Sequence, residues 1–464
     1  MSLLNKGLVV SALCSLLLTS CDDLLEVDSP TSSLVTEQVF TSKDGIEAAR
    51  VGLYVNNWLC SSVYYTYMPL YYSMFSDELK YRLTSYAEYY ENTYTSQTSM
   101  MATIWQRLYK AIYQSNDFIT NVEGTSIIDS DSRDRYLGEA LFFRAFPYFV
   151  LVNSYGDVPL VMVTDFNKTA NTPRVAQSQV YDVIISDLTK AAEYLDGATD
   201  DVTYITSDAC YAFLARVYLY MGEWEKAKAM SEKLLPVADG GIGTRYQLED
   251  LDNVFRASSK ESIMCANMEG YSGTGTYVGY TREGYMLVPS GNNVNYQISP
   301  ELLASLTSDP ADKRGTNWIA DKKGVYYPYK YKNRATPSKT EEYEYQVWFR
   351  LAEQYLIRAE ANAHLGNVKE ALSDVNKIRN RAGVADSVLT SVDDVLLLIE
   401  GERQREFFAE LGHRWFDLKR TNRIDDVLSK VEWKKWESYK ALFPIANAEL
   451  LNNPYLTQNP GYDD

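Results

Sequence analysis

Two segments of the chain share a spacing of small residues that constrains the fold more than any other feature. They begin at Tyr211 and Tyr355. In each, an alanine lies seven residues before a glycine, Gly222 or Gly366, and another lies five residues after it. This spacing predicts a helix, a turn at the glycine and a second helix, with alanines where the two helices approach closely. Because one helix pair cannot bury its apolar face alone, the sequence predicts a stacked scaffold that resembles the tetratricopeptide repeat.

Further helices are indicated by apolar residues that recur at three- and four-residue spacing. The pattern is clearest over residues 101–122, and it continues over 136–152, 180–195 and 392–408. Each of these segments predicts an amphipathic helix with one buried face. Pro147 predicts a kink in the second segment, because proline removes a helical hydrogen bond.

Two regions interrupt the helical pattern, and we call them the first excursion (about residues 56–98) and the second excursion (about residues 240–345). The first is crowded with Tyr, Ser and Thr, and the second is rich in Gly, Tyr, Asn and Pro. Long loops in a compact protein are usually functional or disordered, and the high aromatic content here argues against disorder. The predicted fold class is therefore mainly α, with a tetratricopeptide-like helical-repeat scaffold at about 36–55, 100–235 and 346–420. The two excursions are predicted to form a large, irregular, loop-rich half that is functional rather than disordered.

The start of the chain has the three parts of a secretory signal. Lys6 is followed by an apolar run over residues 8–18 and then by the small residues of LTSC, which ends at Cys21. The run is too short to span a bilayer, which takes about 20 residues. The pattern resembles a bacterial lipobox, so residues 1–20 are predicted to be a lipoprotein signal peptide and Cys21 the lipidated first residue of the mature protein. An ordinary signal peptide with a chance cysteine is the alternative.

Composition and motif content exclude several functions. The net charge of −17 argues against nucleic acid as a partner, because an acidic surface repels polyanions. Cys60, Cys210 and Cys265 are odd in number and form no C-x-x-C pair, which argues against a disulfide framework or a zinc site. His364 and His413 both fall in helical patterns, and no H-E-x-x-H, Walker A or nucleophile-elbow motif occurs. We therefore expect no enzyme activity, no cofactor and no metal site.

Four motifs, in this order, resemble those of a known family. DDLLEVDSPTSSLVTEQVFTSKDGIEAARVGLYVN follows Cys21, YLGEALFFRAFPYFVLVNSYGDVPLV lies in the middle, and GERQREFFAELGHRWFDLKR and LFPIANAELLNNPYLTQNPGY lie near the end. Together they resemble the SusD/RagB family of outer-membrane nutrient-binding lipoproteins, over nearly the whole chain. The resemblance implies a single SusD-like unit over residues 21–464.

The resemblance also implies a function. Family members are lipid-anchored in the outer membrane, face the exterior and lie as a lid over a SusC-like TonB-dependent transporter. They capture oligosaccharides, and some relatives bind peptides. Two alternatives therefore remain: a peptide-capturing relative, for which the acidic charge favours basic peptides, and a tetratricopeptide-like scaffold that binds only protein partners.

The third motif has its own physical interpretation. Glu410 and Arg414 are four residues apart, which on a continuous helix is the favourable order for an ion pair. Its apolar residues predict a buried face, so we interpret this motif as scaffold rather than as a binding site.

The tyrosines of the excursions are the candidate ligand-binding residues. The chain has 38 tyrosines, and a tyrosine ring can stack on the apolar face of a sugar while its hydroxyl group remains hydrated. The predicted aromatic contacts, with their hydrogen-bonding companions, are Tyr86, Tyr89, Tyr90, Tyr277, Tyr280, Tyr285 and Trp318, with Arg82, Asn92 and Asn292. Packing within the loops is the alternative for any single tyrosine, and the tyrosines of 326–327 and 329–331 are also consistent with a short strand that has one buried face. No family motif covers these positions.

Overall fold

The computed structural model describes residues 39–59, 63–235, 245–268, 279–338 and 342–462. The predictions for Cys21, Cys60 and Tyr277 lie outside the described residues. The chain divides into two compact units, residues 1–49 and 50–464, and the architecture below is that of the second unit. Among the described residues, no helix is both long enough and apolar enough to cross a membrane.

The described chain is mainly helical. Two π-helical segments, Val55–Leu59 and Val63–Tyr72, and two short 3₁₀ turns, Thr84–Tyr86 and Ser438–Ala441, accompany the α-helices. The α-helices are α1 (Lys43–Tyr54), α2 (Ser73–Phe75), α3 (Ala87–Tyr90), α4 (Ser99–Glu123), α5 (Ser130–Tyr155), α6 (Phe166–Thr169), α7 (Gln177–Tyr194), α8 (Ser207–Tyr220), α9 (Trp224–Glu232), α10 (Arg282–Leu287), α11 (Pro300–Thr307), α12 (Arg314–Asn317), α13 (Leu351–His364), α14 (Val368–Arg381), α15 (Val392–Phe407), α16 (His413–Arg420), α17 (Ile424–Leu428) and α18 (Asn447–Asn452).

Short strands form four antiparallel two-stranded ladders in the described residues. They are β1 (Leu79–Tyr81), β2 (Val158–Pro159), β3 (Arg174–Val175), β4 (Ser262–Ala266), β5 (Tyr296–Ile298), β6 (Ile319–Lys322), β7 (Val325–Pro328) and β8 (Gln346–Arg350). The pairs are β1–β5, β2–β3, β4–β8 and β6–β7. Tyr326 and Tyr327 lie in β7, whereas Tyr329 and Tyr331 lie outside it, so the strand alternative is confirmed only for the first two.

The scaffold is a stack of helices in which neighbours along the chain are mostly neighbours in space. Each helix contacts the next in the order α4, α5, α7, α8, α9. Helix α9 then contacts α13, which is followed in the same way by α14 and α15. The two predicted helix pairs, α8–α9 and α13–α14, therefore stack on each other although the second excursion separates them in the sequence. The predicted helical-repeat scaffold is confirmed.

The glycines and alanines of the repeat have the predicted roles. Gly222 and Gly366 have φ angles of 72° and 80°, a left-handed conformation that glycine adopts without strain. Ala215 and Ala227 of the first pair are fully buried in a cluster with Ala361 of the second. Small side chains at these positions allow the helices to approach closely.

The excursions are more regular than the sequence indicated. The first contains a π-helical segment, and both contribute strands, so the prediction of two irregular loops is only partly right. β1 of the first excursion pairs with β5 of the second, with Leu79 opposite Ile298 and Tyr81 opposite Tyr296. The backbone of the two excursions is therefore joined.

The predicted ion pair between Glu410 and Arg414 is wrong. The helix is interrupted between α15 and α16, where Ala409, Leu411 and Gly412 have positive φ angles of 55°, 42° and 71°. The two side chains therefore do not share a helix face. Glu410 pairs with Lys330 and Arg350, and Arg414 pairs with Asp77, through contacts of 2.6 to 3.0 Å.

The third motif instead anchors the second excursion to the scaffold through a buried ion network. Glu406 of α15 is fully buried and accepts hydrogen bonds from Arg350 at 2.6 Å and Arg314 at 3.3 Å, and it also pairs with Arg381. Lys330 donates to the backbone oxygen of Glu406 at 2.7 Å. Although burial opposes charge, these arginines hold the pKa of Glu406 far below its usual value. The network favours a specific arrangement, since removing one partner leaves an uncompensated buried charge.

Candidate functional site

Six tyrosines from both excursions meet at the β1–β5 ladder, and we call them the tyrosine cluster. They lie on the π-helical segment Val63–Tyr72, on β1, on the 3₁₀ turn Thr84–Tyr86 and the helix α3 that follow β1, and on β5. The members are Tyr67, Tyr71, Tyr81, Tyr86, Tyr89 and Tyr296.

Local structure explains why these rings converge. Leu79 and Ile298 are buried opposite each other in the ladder, which fixes the register and places Tyr81 opposite Tyr296. Tyr86 and Tyr89 are three residues apart where the 3₁₀ turn runs into α3, so they lie on the same side of the chain.

Ring contacts make the cluster continuous. The Tyr81 ring centroid lies 4.2 Å from that of Tyr86 and 5.0 Å from that of Tyr296. Tyr71 contacts Tyr86 at 5.7 Å and Tyr89 at 5.0 Å. Most of the contacts are edge-to-face or tilted, which are the favourable geometries for aromatic pairs. The rings therefore hold one another in fixed orientations.

Burial divides the cluster into a floor and an accessible surface. Tyr71, Tyr89 and Tyr296 are buried and form the floor. Tyr67, Tyr81 and Tyr86 are half-buried; of these, Tyr81 and Tyr86 are in ring contact with each other and with floor residues. The cluster can therefore present fixed aromatic faces to a ligand.

Four tyrosines of the cluster have a raised pKa, so their hydroxyl groups are neutral at physiological pH. Burial raises the pKa of Tyr71, Tyr81, Tyr89 and Tyr296 above the usual value for a phenol. A neutral phenol both donates and accepts hydrogen bonds. The cluster thus combines stacking faces with hydrogen-bonding groups, which is the combination that a sugar requires.

A second pair of tyrosines lies at α10, which contacts the π-helical segment Val63–Tyr72; Tyr285 is on the helix and Tyr280 precedes it. Tyr280 is half-buried and its ring centroid lies 6.4 Å from that of Tyr285, which is exposed. Thr281 caps α10 by accepting a hydrogen bond from the backbone of Gly284 at 3.0 Å. A Cβ atom at Gly284 would lie 2.2 Å from the backbone oxygen of Asn333, so glycine is needed for this close approach.

Of three other predicted residues, Arg82 and Asn292 lie at the surface and Tyr90 is buried. Arg82 is exposed at the end of β1, and its backbone nitrogen donates to Asn295 at 2.8 Å. Asn292 is exposed in the loop before β5. The Tyr90 ring faces Trp433 at 6.1 Å and is separate from the tyrosine cluster. Tyr86 and Tyr89 are the two predicted residues that the structure brings into the cluster.

Two predicted contacts are wrong, because the side chains are buried in the protein. Trp318 is fully buried, its indole nitrogen donates to the Leu251 backbone at 2.9 Å, and the ammonium group of Lys330 lies 4.7 Å from its ring. Asn92 is also fully buried and its side-chain oxygen accepts a 2.6 Å hydrogen bond from Lys434. Neither side chain has a surface that a ligand could reach.

Sequence reasoning missed Tyr67, Tyr71, Tyr81 and Tyr296. Tyr81 and Tyr296 belong to three-residue strands that are far apart in the sequence, so nothing local indicates that they pair. Tyr71 lies in YMPLYY, where the π-helical geometry has no simple apolar period. The tyrosine density of both excursions was the signal that could have included them.

A buried carboxylate lies on the same helix as Tyr285. Glu283 of α10 is almost fully buried and accepts a hydrogen bond from Gln346 at 2.7 Å. Burial raises its pKa to about 7. The protonation of Glu283 is therefore expected to change close to neutral pH, on the helix that carries Tyr285.

Two grooves on the scaffold differ in character from the tyrosine cluster. One, of 510 Å³, lies where His364 stacks on Trp224 at 3.8 Å, and many of its charged residues pair with one another, such as Glu360 with Arg420. The other, of 620 Å³, lies beside α4 and includes the exposed Phe166. Neither joins the two excursions. Among the described residues, no group of three or more His, Cys, Asp or Glu side chains could hold a metal ion.

Comparison with known proteins identifies the family. Residues 271–462 match the family model described as SusD family, and residues 23–219 match a model described as "Starch-binding associating with outer membrane". The chain belongs to the SusD family. Curated relatives of this SusD-family chain include SusD-like protein P38 of Formosa agariphila, which is 26% identical over 96% of each chain. Starch-binding protein SusD of Bacteroides thetaiotaomicron is 36% identical over 25% of this chain and 21% of that protein.

Solved structures of the family share the fold. A SusD superfamily protein from Bacteroides vulgatus superimposes with a TM-score of 0.78 and 21% identity, over 91% of this chain and 99% of that one. A laminarin-binding SusD-like protein has a TM-score of 0.75 and 24% identity, over 91% and 100% of the two chains. The predicted family and the predicted mainly α, tetratricopeptide-like fold are therefore confirmed.

Proposed function

We propose that this SusD-family chain captures oligosaccharides on the tyrosine cluster and passes them to a SusC-like TonB-dependent transporter in the outer membrane. The observation that carries the proposal is the cluster itself, in which rings from both excursions are held in fixed orientations with partly exposed faces. The names of relatives that bind starch and laminarin support glycans as the ligand class.

The energetics of stacking require several rings. One aromatic contact contributes about 0.5–1.5 kcal/mol beyond buried area, so three accessible rings contribute about 1.5–4.5 kcal/mol. Micromolar binding needs about 8 kcal/mol. Hydrogen bonds from phenol hydroxyl groups and buried apolar area provide the remainder. The proposed site is therefore one of moderate affinity, which suits capture followed by release.

The proposal includes the location of the protein and the statement that it does not cleave its ligand. Lipidation of Cys21 anchors the protein in the outer membrane with its binding site facing the exterior. We expect the wild-type protein to incorporate labelled fatty acid and the Cys21→Ser variant not to incorporate it. The bound glycan is not cleaved, so no new reducing ends appear when the purified protein is incubated with a glycan that it binds.

Affinity electrophoresis tests the ligand class. A soluble form that starts after Cys21 is run through gels that contain neutral or charged polysaccharides, and we expect retardation by at least one of them. If no polysaccharide retards it, the glycan proposal fails, and calorimetry against a pool of peptides would then test the peptide-capturing alternative. Co-purification of the native protein with an outer-membrane transporter tests the partner.

A further inference from the structure

Three arginine side chains lie beside the tyrosine cluster or beside the neighbouring Tyr285, and we call them the arginine rim. The guanidinium carbons of Arg282 and Arg334 lie 5.4 and 4.8 Å from the centroid of the Tyr285 ring. Arg82 directly follows Tyr81, and its Nε donates to the side chain of Asn295 at 3.4 Å. The rim thus contains residues from both excursions.

Two arginines of the rim, Arg82 and Arg282, are close enough to interact with the cluster. The positive charge of Arg82 partly offsets the increase that burial produces in the pKa of Tyr81, and Arg282 does the same for Tyr296. Tyr81 and Tyr296 are paired in the β1–β5 ladder. A ligand that stacks on the accessible Tyr81 ring would therefore lie within the field of Arg82 and close to Arg282.

The charges of the rim differ from those in the interior of the protein. Elsewhere, arginines such as Arg314, Arg350 and Arg414 are buried against carboxylates. Within the part of the chain that the structure describes, Arg82 and Arg334 form no ion pair with a carboxylate. Arg334 donates to the backbone oxygens of Tyr285 and Val288, which position its guanidinium group but do not cancel its charge.

A carboxylate next to the cluster has its own partners. Glu88 accepts a hydrogen bond from Thr98 at 3.1 Å and interacts with Tyr89. Arg82 at the end of β1 and Arg282 and Arg334 beside Tyr285 thus place positive charges near the cluster, although the whole chain has a net charge of −17. At physiological ionic strength, exposed charges are screened beyond about 8 Å, so a bound ligand responds mainly to these nearby arginines.

We propose that the ligand of the tyrosine cluster is an anionic oligosaccharide, whose uronate carboxylates or sulfate groups pair with the arginine rim while its sugar faces stack on the tyrosines. This inference rests on the proposed glycan-binding function and narrows its ligand class. The planar guanidinium group binds carboxylate and sulfate oxygens with two parallel hydrogen bonds. The same rim repels the basic peptides that the net charge of the whole chain would otherwise favour.

Matched polysaccharides that differ only in charge test the inference. The soluble protein is titrated with polygalacturonate and with the same polymer after methyl esterification, with a sulfated galactan and its desulfated form, and with laminarin as a further neutral glycan. We expect at least one charged polymer to bind about tenfold more tightly than its neutral counterpart, and this preference to decrease as salt is added.

Substitutions of the rim arginines test whether the rim causes the preference for the charged polymer. The double variant Arg82→Gln/Arg334→Gln is expected to lose about tenfold in affinity for the charged polymer, since two exposed ion pairs are removed. Arg82→Lys/Arg334→Lys should retain part of the preference, because it keeps the charge but not the paired hydrogen bonds. Arg107→Gln, at an exposed arginine of α4, should bind like the wild type. Thermal unfolding of each variant checks that the fold is kept.

The outcomes separate the inference from the proposed function. Equal binding of charged and neutral polymers, binding of neutral glycans alone, or an unchanged preference in the Gln variant would overturn the anionic ligand and leave glycan capture intact. Failure of every polysaccharide to bind would overturn both.

Discussion

At the scale of single residues, position in the fold decides which aromatic side chains can act. Tyr81 and Tyr86 are partly exposed and contact each other, whereas Trp318 in the same kind of tyrosine-rich sequence is fully buried. The difference arises because Trp318 lies beside Lys330 and the buried ion network. Composition predicts that a region is rich in aromatic side chains that could contact a ligand, and burial determines which of them a ligand can reach.

Glu283 makes stability depend on pH near neutrality. Burial raises its pKa from 4.5 to about 7, so the stabilisation associated with its neutral form is complete below the unfolded-state pKa and is lost as the pH rises through about 7. We expect Glu283→Gln, which stays neutral, to become more stable than the wild type as the pH increases from 5 to 8, by up to about 3 kcal/mol. Urea unfolding at several pH values measures this difference.

The control for this prediction is Glu225→Gln, at an exposed glutamate of α9. Its difference from the wild type should be small and should vary little with pH. If the Glu283→Gln curve ran parallel to that of the wild type from pH 5 to 8, Glu283 would not be buried as a neutral group.

At the scale of secondary-structure elements, the scaffold was predictable and the excursions were predictable only in part. Helix periodicity and the glycine–alanine spacing are local signals, and α4, α7 and α15 begin and end within a few residues of the predicted bounds. The β1–β5 ladder pairs three-residue strands from two distant regions, which no local pattern encodes. The break between α15 and α16 was missed because residues 407–412 contain one glycine in an otherwise helical pattern.

The turn of the second repeat depends on the backbone conformation of Gly366. Its φ angle is 80°, and a Cβ atom placed there would meet no other atom within 4 Å. Gly366→Ala should therefore lower the free energy of unfolding by about 1–2 kcal/mol through backbone strain alone. Gly52→Ala is the matched control, since Gly52 lies inside α1 with equally open space, and it should stabilise the protein by about 0.5–1 kcal/mol. Denaturant unfolding measures whether the free energy of unfolding falls for Gly366→Ala and rises for Gly52→Ala. An unchanged free energy of unfolding for Gly366→Ala would contradict the left-handed turn.

The ion network couples the second excursion to the helical scaffold. Glu406→Gln removes the carboxylate that Arg314, Arg350 and Arg381 share, and we expect a loss of about 3–5 kcal/mol in unfolding free energy. Glu223→Gln removes a solvent-exposed pair with Lys226 and should cost less than about 1 kcal/mol. Calorimetric unfolding compares the two. Similar melting temperatures for both variants would show that the network does not stabilise the excursion.

At the scale of the whole molecule, a helical stack supports a binding surface that the repeat itself does not contain. The family and the fold class followed from motifs and periodicity in the sequence. Of the candidate contacts, Tyr86 and Tyr89 lie in the tyrosine cluster, Arg82 and Tyr285 lie beside it, and Trp318 and Asn92 are buried in the interior. The remaining members come together through pairing across the excursions, which becomes visible only in the folded chain.

The central claim is that the tyrosine cluster binds glycan, and the most direct test is the affinity of Tyr81→Ala/Tyr86→Ala for a polysaccharide that retards the wild type. Tyr113→Ala is the control, at a tyrosine of α4 that is 50% exposed and outside the cluster. Isothermal titration calorimetry should show a loss of about tenfold or more in affinity for the double variant, with the control unchanged. Wild-type affinity in a correctly folded double variant would contradict the account.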